Sequence, residues 1–278
     1  MSGPMSGPVI GVFDSGFGGL TVLRALVDEV PWAQFVFLGD TARLPYGSKS
    51  QRTIARYAAE SARFLVEQQG AEYLVIACNT ASALALGAIE AAVPVPVLGV
   101  IEPGAEAAAE QTKTGDVMVM ATEATVASHA YAAACQRRGL HGIEKACPLL
   151  VPLGEEGWIE HPVTEQVVRI YLDDMLAEAR AAGQQPDALV LGCTHYPLLR
   201  GVLERTVPQG VTVIDSAEAT ARRVASAMAG RASSRTTEEA EMPHIRCFAT
   251  DSVAKFERLG SRFLGRPVGT VELIDLGG

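Results

Sequence analysis

Two of the five cysteines, Cys78 and Cys193, stand in matching surroundings. Each directly follows an apolar run, Leu74-Val75-Ile76-Ala77 in one case and Leu189-Val190-Leu191-Gly192 in the other, and each precedes a polar pair, Asn79-Thr80 or Thr194-His195. Such a run reads as a buried strand, and in open α/β sheets ligands bind at the carboxyl ends of strands. A thiol there also lies near the N-terminus of the next helix, whose dipole favours the thiolate. One cysteine in this setting reads as buried filler; two in the same setting read as chemistry. A pair of thiols on opposed lobes suits inversion of a stereocentre, where one proton leaves one face of a carbon and another arrives on the opposite face. The same residues admit two other readings. A dithiol redox protein would bring the sulfurs within bonding distance, and a non-catalytic binding protein would use the cleft alone.

Other candidates cluster at strand ends. Asp14-Ser15-Gly16-Phe17-Gly18-Gly19 follows the first apolar run and opens a helix, but its glycines do not have the dinucleotide-binding spacing. Asp14 is placed to cap that helix, whose N-terminus with Ser15 offers a place for a carboxylate. Gly39-Asp40 ends the second run, and the turn-forming segment Leu44-Pro45-Tyr46-Gly47-Ser48 after it exposes amides to an anion. Glu155-Glu156 follows Pro152, and His195, two residues beyond Cys193, is placed to hold or stabilise its thiolate. His129, His141, His161 and His244 have no metal-ligand spacing, so no metal is expected. Amino-acid racemisation has another route, a pyridoxal phosphate Schiff base on lysine. The only lysines are Lys49, Lys113, Lys145 and Lys255, none beside a phosphate-binding motif, so no cofactor is expected.

The elements that must position these residues alternate along the chain. Strand candidates are Val9–Phe13, Phe35–Gly39, Tyr73–Ala77, Val95–Gly99, Val117–Met120, Leu149–Pro152, Ala188–Leu191, Val211–Ile214, Ile245–Ala249 and Thr270–Ile274. Between them lie helical patterns, such as Ile54, Tyr57, Ala58, Ser61 and Leu65. This alternation predicts an α/β fold with mainly parallel sheets flanked by helices. The two cysteine segments suggest an internal repeat, with a weaker match between Phe37-Leu38-Gly39-Asp40-Thr41 and Val213-Ile214-Asp215-Ser216. The expected architecture is two similar lobes related by a pseudo-two-fold axis, 9–99 with 218–278 and 100–217, with the active site in the cleft between them. Residues 1–8 read as a disordered tail, and Arg231–Glu241 as a surface loop.

Composition narrows the class. With 278 residues, 48% hydrophobic and 20% charged, the chain is an ordinary globular one. A formal charge of −9 argues against nucleic-acid or anionic-membrane partners. The most apolar region, Leu74 to Ile101, carries Asn79, Ser82, Glu90 and two prolines, so it does not read as a membrane span. No secretory signal is visible, and five cysteines without CxxC spacing fit a reducing compartment, so a cytoplasmic location is expected.

Phe13-Asp14-Ser15-Gly16-Phe17-Gly18-Gly19-Leu20-Thr21-Val22, Cys78-Asn79-Thr80-Ala81-Ser82 and Gly192-Cys193-Thr194-His195-Tyr196-Pro197-Leu198 together resemble the bacterial glutamate racemases. The likeness runs from about Ile10 to Asp215-Ser216. It implies interconversion of L- and D-glutamate without cofactor or metal, supplying D-glutamate for peptidoglycan, by a homodimer of two-lobed α/β chains. By motif it makes Cys78 and Cys193 the catalytic thiols. It makes Asp14, Ser15, Tyr46, Gly47, Asn79, Thr80, Thr125, Thr194 and His195 substrate contacts. Asp14 and Asp40 would tune Cys78, and Glu155 and His195 would tune Cys193. The sequence departs at Gly154, where these racemases usually carry a branched apolar residue. Aspartate and hydantoin racemases share the paired cysteines, but the residues after each cysteine favour glutamate.

Overall fold

The computed structural model describes residues 7–231 and 244–277. Along the chain run β1 (Val9–Asp14), α1 (Leu20–Glu29), β2 (Gln34–Gly39), α2 (Gln51–Arg63), β3 (Tyr73–Ile76), α3 (Asn79–Leu84), α4 (Leu86–Ala92), β4 (Val97–Gly99) and α5 (Ile101–Gln111). Next come β5 (Asp116–Ala121), α6 (Glu123–Ala127), α7 (Ala130–Gln136), β6 (His141–Ala146), α8 (Leu150–Glu156), α9 (Pro162–Ala181), β7 (Ala188–Gly192) and α10 (Arg200–Thr206). The rest comprises β8 (Thr212–Asp215), α11 (Ser216–Met228), β9 (Ile245–Ala249), α12 (Val253–Leu264) and β10 (Val271–Leu273).

The strands form two sheets, β10-β9-β2-β1-β3-β4 and β6-β5-β7-β8, and every pairing is parallel. Parallel strands need crossovers, and the helices that supply them cover both sheet faces. The period-two alternation of the strands divides the core accordingly. Ile10, Val12, Phe35, Phe37 and Val75 pack to one side of the first sheet, and Phe13, Val36, Leu38, Leu74 and Ile76 to the other. The second sheet divides in the same way, with Met118, Met120, Leu189 and Leu191 opposite Val117, Val119, Ala188 and Val190. Helix α11 joins the two bodies: Ala217, Ala221 and Val224 enter the core of the first sheet, and Ala219 that of the second.

The order β2-β1-β3-β4 is repeated as β6-β5-β7-β8. In both, the chain reverses direction of growth between the first and third strands, the switch point at which open α/β sheets bind ligands. Cys78 and Cys193 follow equivalent third strands. The weaker expected match does not hold: β2, which ends at Gly39-Asp40, is topologically equivalent to β6, whereas β8 is equivalent to β4. Two further expectations are corrected. Leu149–Pro152 is not a strand; Leu150 opens α8 and is buried, as is Gly154 one turn on, and Pro152 is tolerated within the first turn. The strand missed is β6, His-Gly-Ile-Glu-Lys-Ala, which lies at a sheet edge with only Ile143 fully buried and so lacks an apolar run.

Most of the expected N-terminal tail lies outside the described residues, but Gly7 and Pro8 are tied to β2, where their carbonyls accept from Gln34. The expected loop after Arg231 also lies outside them. Arg231 itself pairs with Glu72. Among the described residues no helix is long and apolar enough to cross a membrane.

Candidate active site

Asp14, Ser15, Cys78 and Asn79 share one strand edge because β1 and β3 are neighbours in register, with Phe13 opposite Ile76. Cys78 is the N-cap of α3: its sulfur accepts the Ala81 N–H at 3.4 Å, and its thiol donates to Ser15 Oγ at 3.5 Å. Burial and, behind it, the Asp14 carboxylate push this thiol up to about 12, although Ser15 and the helix amide pull the other way. The helix terminus therefore does not win, contrary to the expectation from position alone. Cys78 is held as a neutral thiol. Asp14 is itself buried, which raises its pKa, and the nearby His195 cation opposes that rise. Its Oδ2 accepts from Gly16 N–H at 3.0 Å, while among the described residues its buried Oδ1 has no hydrogen-bond partner. A buried orphan acceptor is costly unless a donor arrives to meet it.

Asp40, at the end of β2, is fully buried. Its carboxylate accepts from Arg43 Nε at 2.9 Å and Thr250 Oγ1 at 2.9 Å, and it also accepts the Tyr46 hydroxyl. Asp40 thus stands behind Tyr46; the burial of Tyr46 and the negative charge of Asp40 both raise the phenol's pKa. This network also anchors the Leu44–Ser48 loop, whose Gly47 faces Thr122 of the second lobe.

On the opposite side, Cys193 leaves β7 and leads into a 3-10 turn, Tyr196–Leu199. Its sulfur lies 3.9 Å from His195 Nδ1. Burial would lower the histidine pKa, but Cys193, Glu155 and Asp14 outweigh it and raise His195 to about 10. His195 is therefore an imidazolium at neutral pH, and a cation at that distance stabilises negative charge on the sulfur. Glu155 Oε1 lies 3.3 Å from His195 Nε2, an ion-pair contact without hydrogen-bond alignment, and Glu155 Oε2 accepts from Lys255 Nζ at 2.9 Å. Despite the cost of burial, these two cations hold the Glu155 carboxyl down at about 2. Gly154 does not displace it; a Cβ there would meet only His195 O at 3.8 Å and Leu198 Cδ1 at 3.9 Å, both ordinary contacts.

The lobes meet directly around the thiols. Thr80 Oγ1 is 2.9 Å from Thr122 Oγ1 and 3.3 Å from Thr125 Oγ1, and Tyr131 donates to Asn79 Oδ1 at 2.7 Å. Gly18 is so close to Thr194 and His195 that a Cβ would lie 2.8 Å from His195 Nδ1. Cys78 and Cys193 are both free and buried. Among the described residues no three His, Cys, Asp or Glu side chains are grouped as a metal would need.

A family model for Asp/Glu/hydantoin racemases matches residues 10–224. The chain belongs to this racemase family. It is 56% identical over 290 residues to a glutamate racemase of Koribacter versatilis, with 98% of each chain covered. Among solved structures it is similar to a glutamate racemase isoform of Bacillus anthracis, with 36% identity, a TM-score of 0.86, and 97% of this chain and 98% of that one covered. It is also similar to the glutamate racemase of Francisella tularensis in complex with D-glutamate, with 33% identity, a TM-score of 0.85 and coverage of 98% and 99%.

Within this racemase fold, several residues that sequence reasoning passed over belong to the site. Thr122 caps α6 and completes the hydroxyl triangle with Thr80 and Thr125. Its signal was the polar step after the apolar run Val117–Met120. Tyr131 and Lys255 carry no local signal, because they reach the site only through the packing of α7 and α12. Tyr196 is buried behind Cys193, its hydroxyl donating to Cys147 O at 2.8 Å and Ala121 O at 3.1 Å.

Proposed function

We propose that the chain is a cofactor-independent glutamate racemase in which Cys78 and Cys193 act as paired acid and base. The observation that carries this reading is two free thiols at equivalent strand ends of two topologically repeated lobes. Taking a proton from one face and returning one to the other needs a group on each side. The neutral Cys78 thiol is ready to donate, and Cys193 beside the His195 cation is ready to carry negative charge; in the reverse direction the roles exchange. Asp14 Oδ1 meets the substrate ammonium, which supplies the donor this buried oxygen lacks. Ser15, Asn79, Thr80, Thr125 and Thr194 offer hydroxyls and an amide to the α-carboxylate, and the amides of the Tyr46-Gly47 loop take the side-chain carboxylate.

Asp40 supports Cys78 through Tyr46, and Glu155 with His195 supports Cys193. The lobes are 9–99 with 218–278 and 100–217, and two chains associate as a homodimer. The reaction takes place in the cytoplasm and supplies D-glutamate to peptidoglycan synthesis. Neither a cofactor nor a metal takes part in it. Circular dichroism with L-glutamate and L-aspartate as substrates tests the assignment: glutamate is turned over in preference, and a preference for aspartate would overturn it.

A further inference from the structure

We propose that Lys255, on the C-terminal helix α12, is a positioning residue for the Cys193 half-reaction, completing from the first lobe the charge chain that ends on a sulfur of the second. This rests on the two-thiol reading above. Helix α12 is rooted in the first lobe, where Phe256, Leu259, Phe263 and Leu264 enter its core with Phe17 and Leu20. The same helix reaches the second lobe at three points. Lys255 Nζ donates to Glu155 Oε2 at 2.9 Å while lying 5.5 Å from the Phe17 ring centroid. Arg262, two turns along, points Nη1 at the carbonyls of Gly154 and Glu155, 3.4 Å from each. The Phe263 ring lies edge to face with His195, centroids 5.1 Å apart, and Phe17 flanks the same imidazole at 5.9 Å.

These contacts converge on one object, the Glu155–His195 pair beside Cys193. Glu155 has two oxygens and two cations, and each oxygen faces one of them. If Lys255 were removed, Glu155 would keep His195 as its one cation among the described residues, and its carboxylate would be free to rotate so that Oε1 leaves the imidazolium. The imidazolium would then lose the partner that aims its other nitrogen at the Cys193 sulfur. Among the described residues no histidine or lysine contacts the Cys78 sulfur, whose hydrogen-bond partners are Ser15 and the α3 amide. The two thiols are thus served by unlike devices. That of Cys193 is completed by α12 of one lobe resting on α8 of the other, so it ties the position of Glu155 to the arrangement of the lobes.

The test compares wild type, Lys255→Met, Lys255→Arg, Glu155→Gln and the Lys255→Met/Glu155→Gln pair, each as the full chain. The Lys255 side chain is 41% exposed, so its replacement leaves the core intact. For Lys255→Met a threefold to tenfold fall in kcat is expected, about what a partly exposed ion pair can supply, with KM within about twofold of wild type. Lys255→Arg restores most of kcat, and Lys255→Met adds no further loss on top of Glu155→Gln. A rise in KM at unchanged kcat, an arginine variant no better than methionine, or additive losses would each overturn the proposal.

A turnover-independent measurement separates this proposal from the glutamate assignment. Iodoacetamide labelling, followed peptide by peptide, changes in rate at Cys193 in Lys255→Met and not at Cys78. Equal changes at both thiols, or none, would refute the positioning role, whereas absent glutamate turnover in the wild type would refute the assignment itself.

Discussion

The most exacting consequence of the interlobe contact concerns a single methyl group at Gly18. This residue lies in the turn between β1 and α1, and its backbone does not occupy the left-handed region, so alanine fits there without conformational strain. Space across the cleft is the obstacle. The added Cβ would sit 2.8 Å from His195 Nδ1 and 2.9 Å from Cε1, with Thr194 Oγ1 closer still, whereas ordinary contact begins at 3.4 Å. Restoring that contact requires the Thr194–His195 segment to retreat by about 1 Å, and with it Cys193, and a displacement of that size in a positioned catalytic group costs about 10²-fold in rate. The clash falls between lobes and not inside a core, so the stability penalty should stay within about 1–3 kcal/mol. Gly16→Ala is the internal control, since its Cβ would meet Leu44 Cδ2 at 3.6 Å and Asp14 Oδ2 at 3.9 Å. Racemisation followed by circular dichroism, with urea unfolding of the same samples, checks both numbers. Because the enantiomers are equal in free energy, kcat/KM must fall equally in the two directions. A Gly18→Ala enzyme with wild-type kcat, or a Gly16→Ala enzyme equally impaired, would refute the reasoning.

Glu155→Gln has a pH-dependent cost whose sign is set by the depressed carboxyl. A group held at about 2 against an ordinary 4.5 contributes stability fully above pH 4.5 and loses it as pH falls through 2. The full shift corresponds to about 3 kcal/mol, and partial exposure reduces it to roughly 1–3 kcal/mol. Urea unfolding should therefore show a gap between wild type and variant at pH 7 that closes between pH 4.5 and pH 2; a gap independent of pH would count against the ion-pair account. Tyr196→Phe removes the hydroxyl that bridges the carbonyls of Cys147 and Ala121, which keep the N–H groups of Leu150 and Cys147 as partners, so the urea midpoint should fall by the equivalent of about 0.5–1.5 kcal/mol at unchanged slope. A change below 0.5 kcal/mol would mean that this hydroxyl is not holding the strand ends together.

Central strands were legible because a strand buried on both faces has to be apolar throughout: β1, β2, β5 and β7 each show such a run. Strand β6 was not, since at a sheet edge it can carry His141, Glu144 and Lys145 and depends for its existence on β5. The apolar letters of Leu149–Pro152 serve a helix instead, where burial recurs at Leu150 and Gly154. The site divides along the same line. Asp14, Cys78, Cys193 and His195 were readable because each stands at or just beyond the end of a strand, where topology alone brings residues together. Thr122, Tyr131 and Lys255 were not, because contacts between lobes bring them in. Charge was the least legible property. A thiol at a helix start suggests an easily formed thiolate, yet complete burial beside Asp14 keeps Cys78 neutral, an outcome that depends on how the strands pack.

The central claim is that each thiol serves one face of the substrate carbon. Cys78→Ala and Cys193→Ala, prepared separately and confirmed as folded, should each lower L-to-D and D-to-L glutamate turnover by at least about 10³-fold, since each removes the acid or base needed in either direction. Full racemisation retained by either variant would contradict the account.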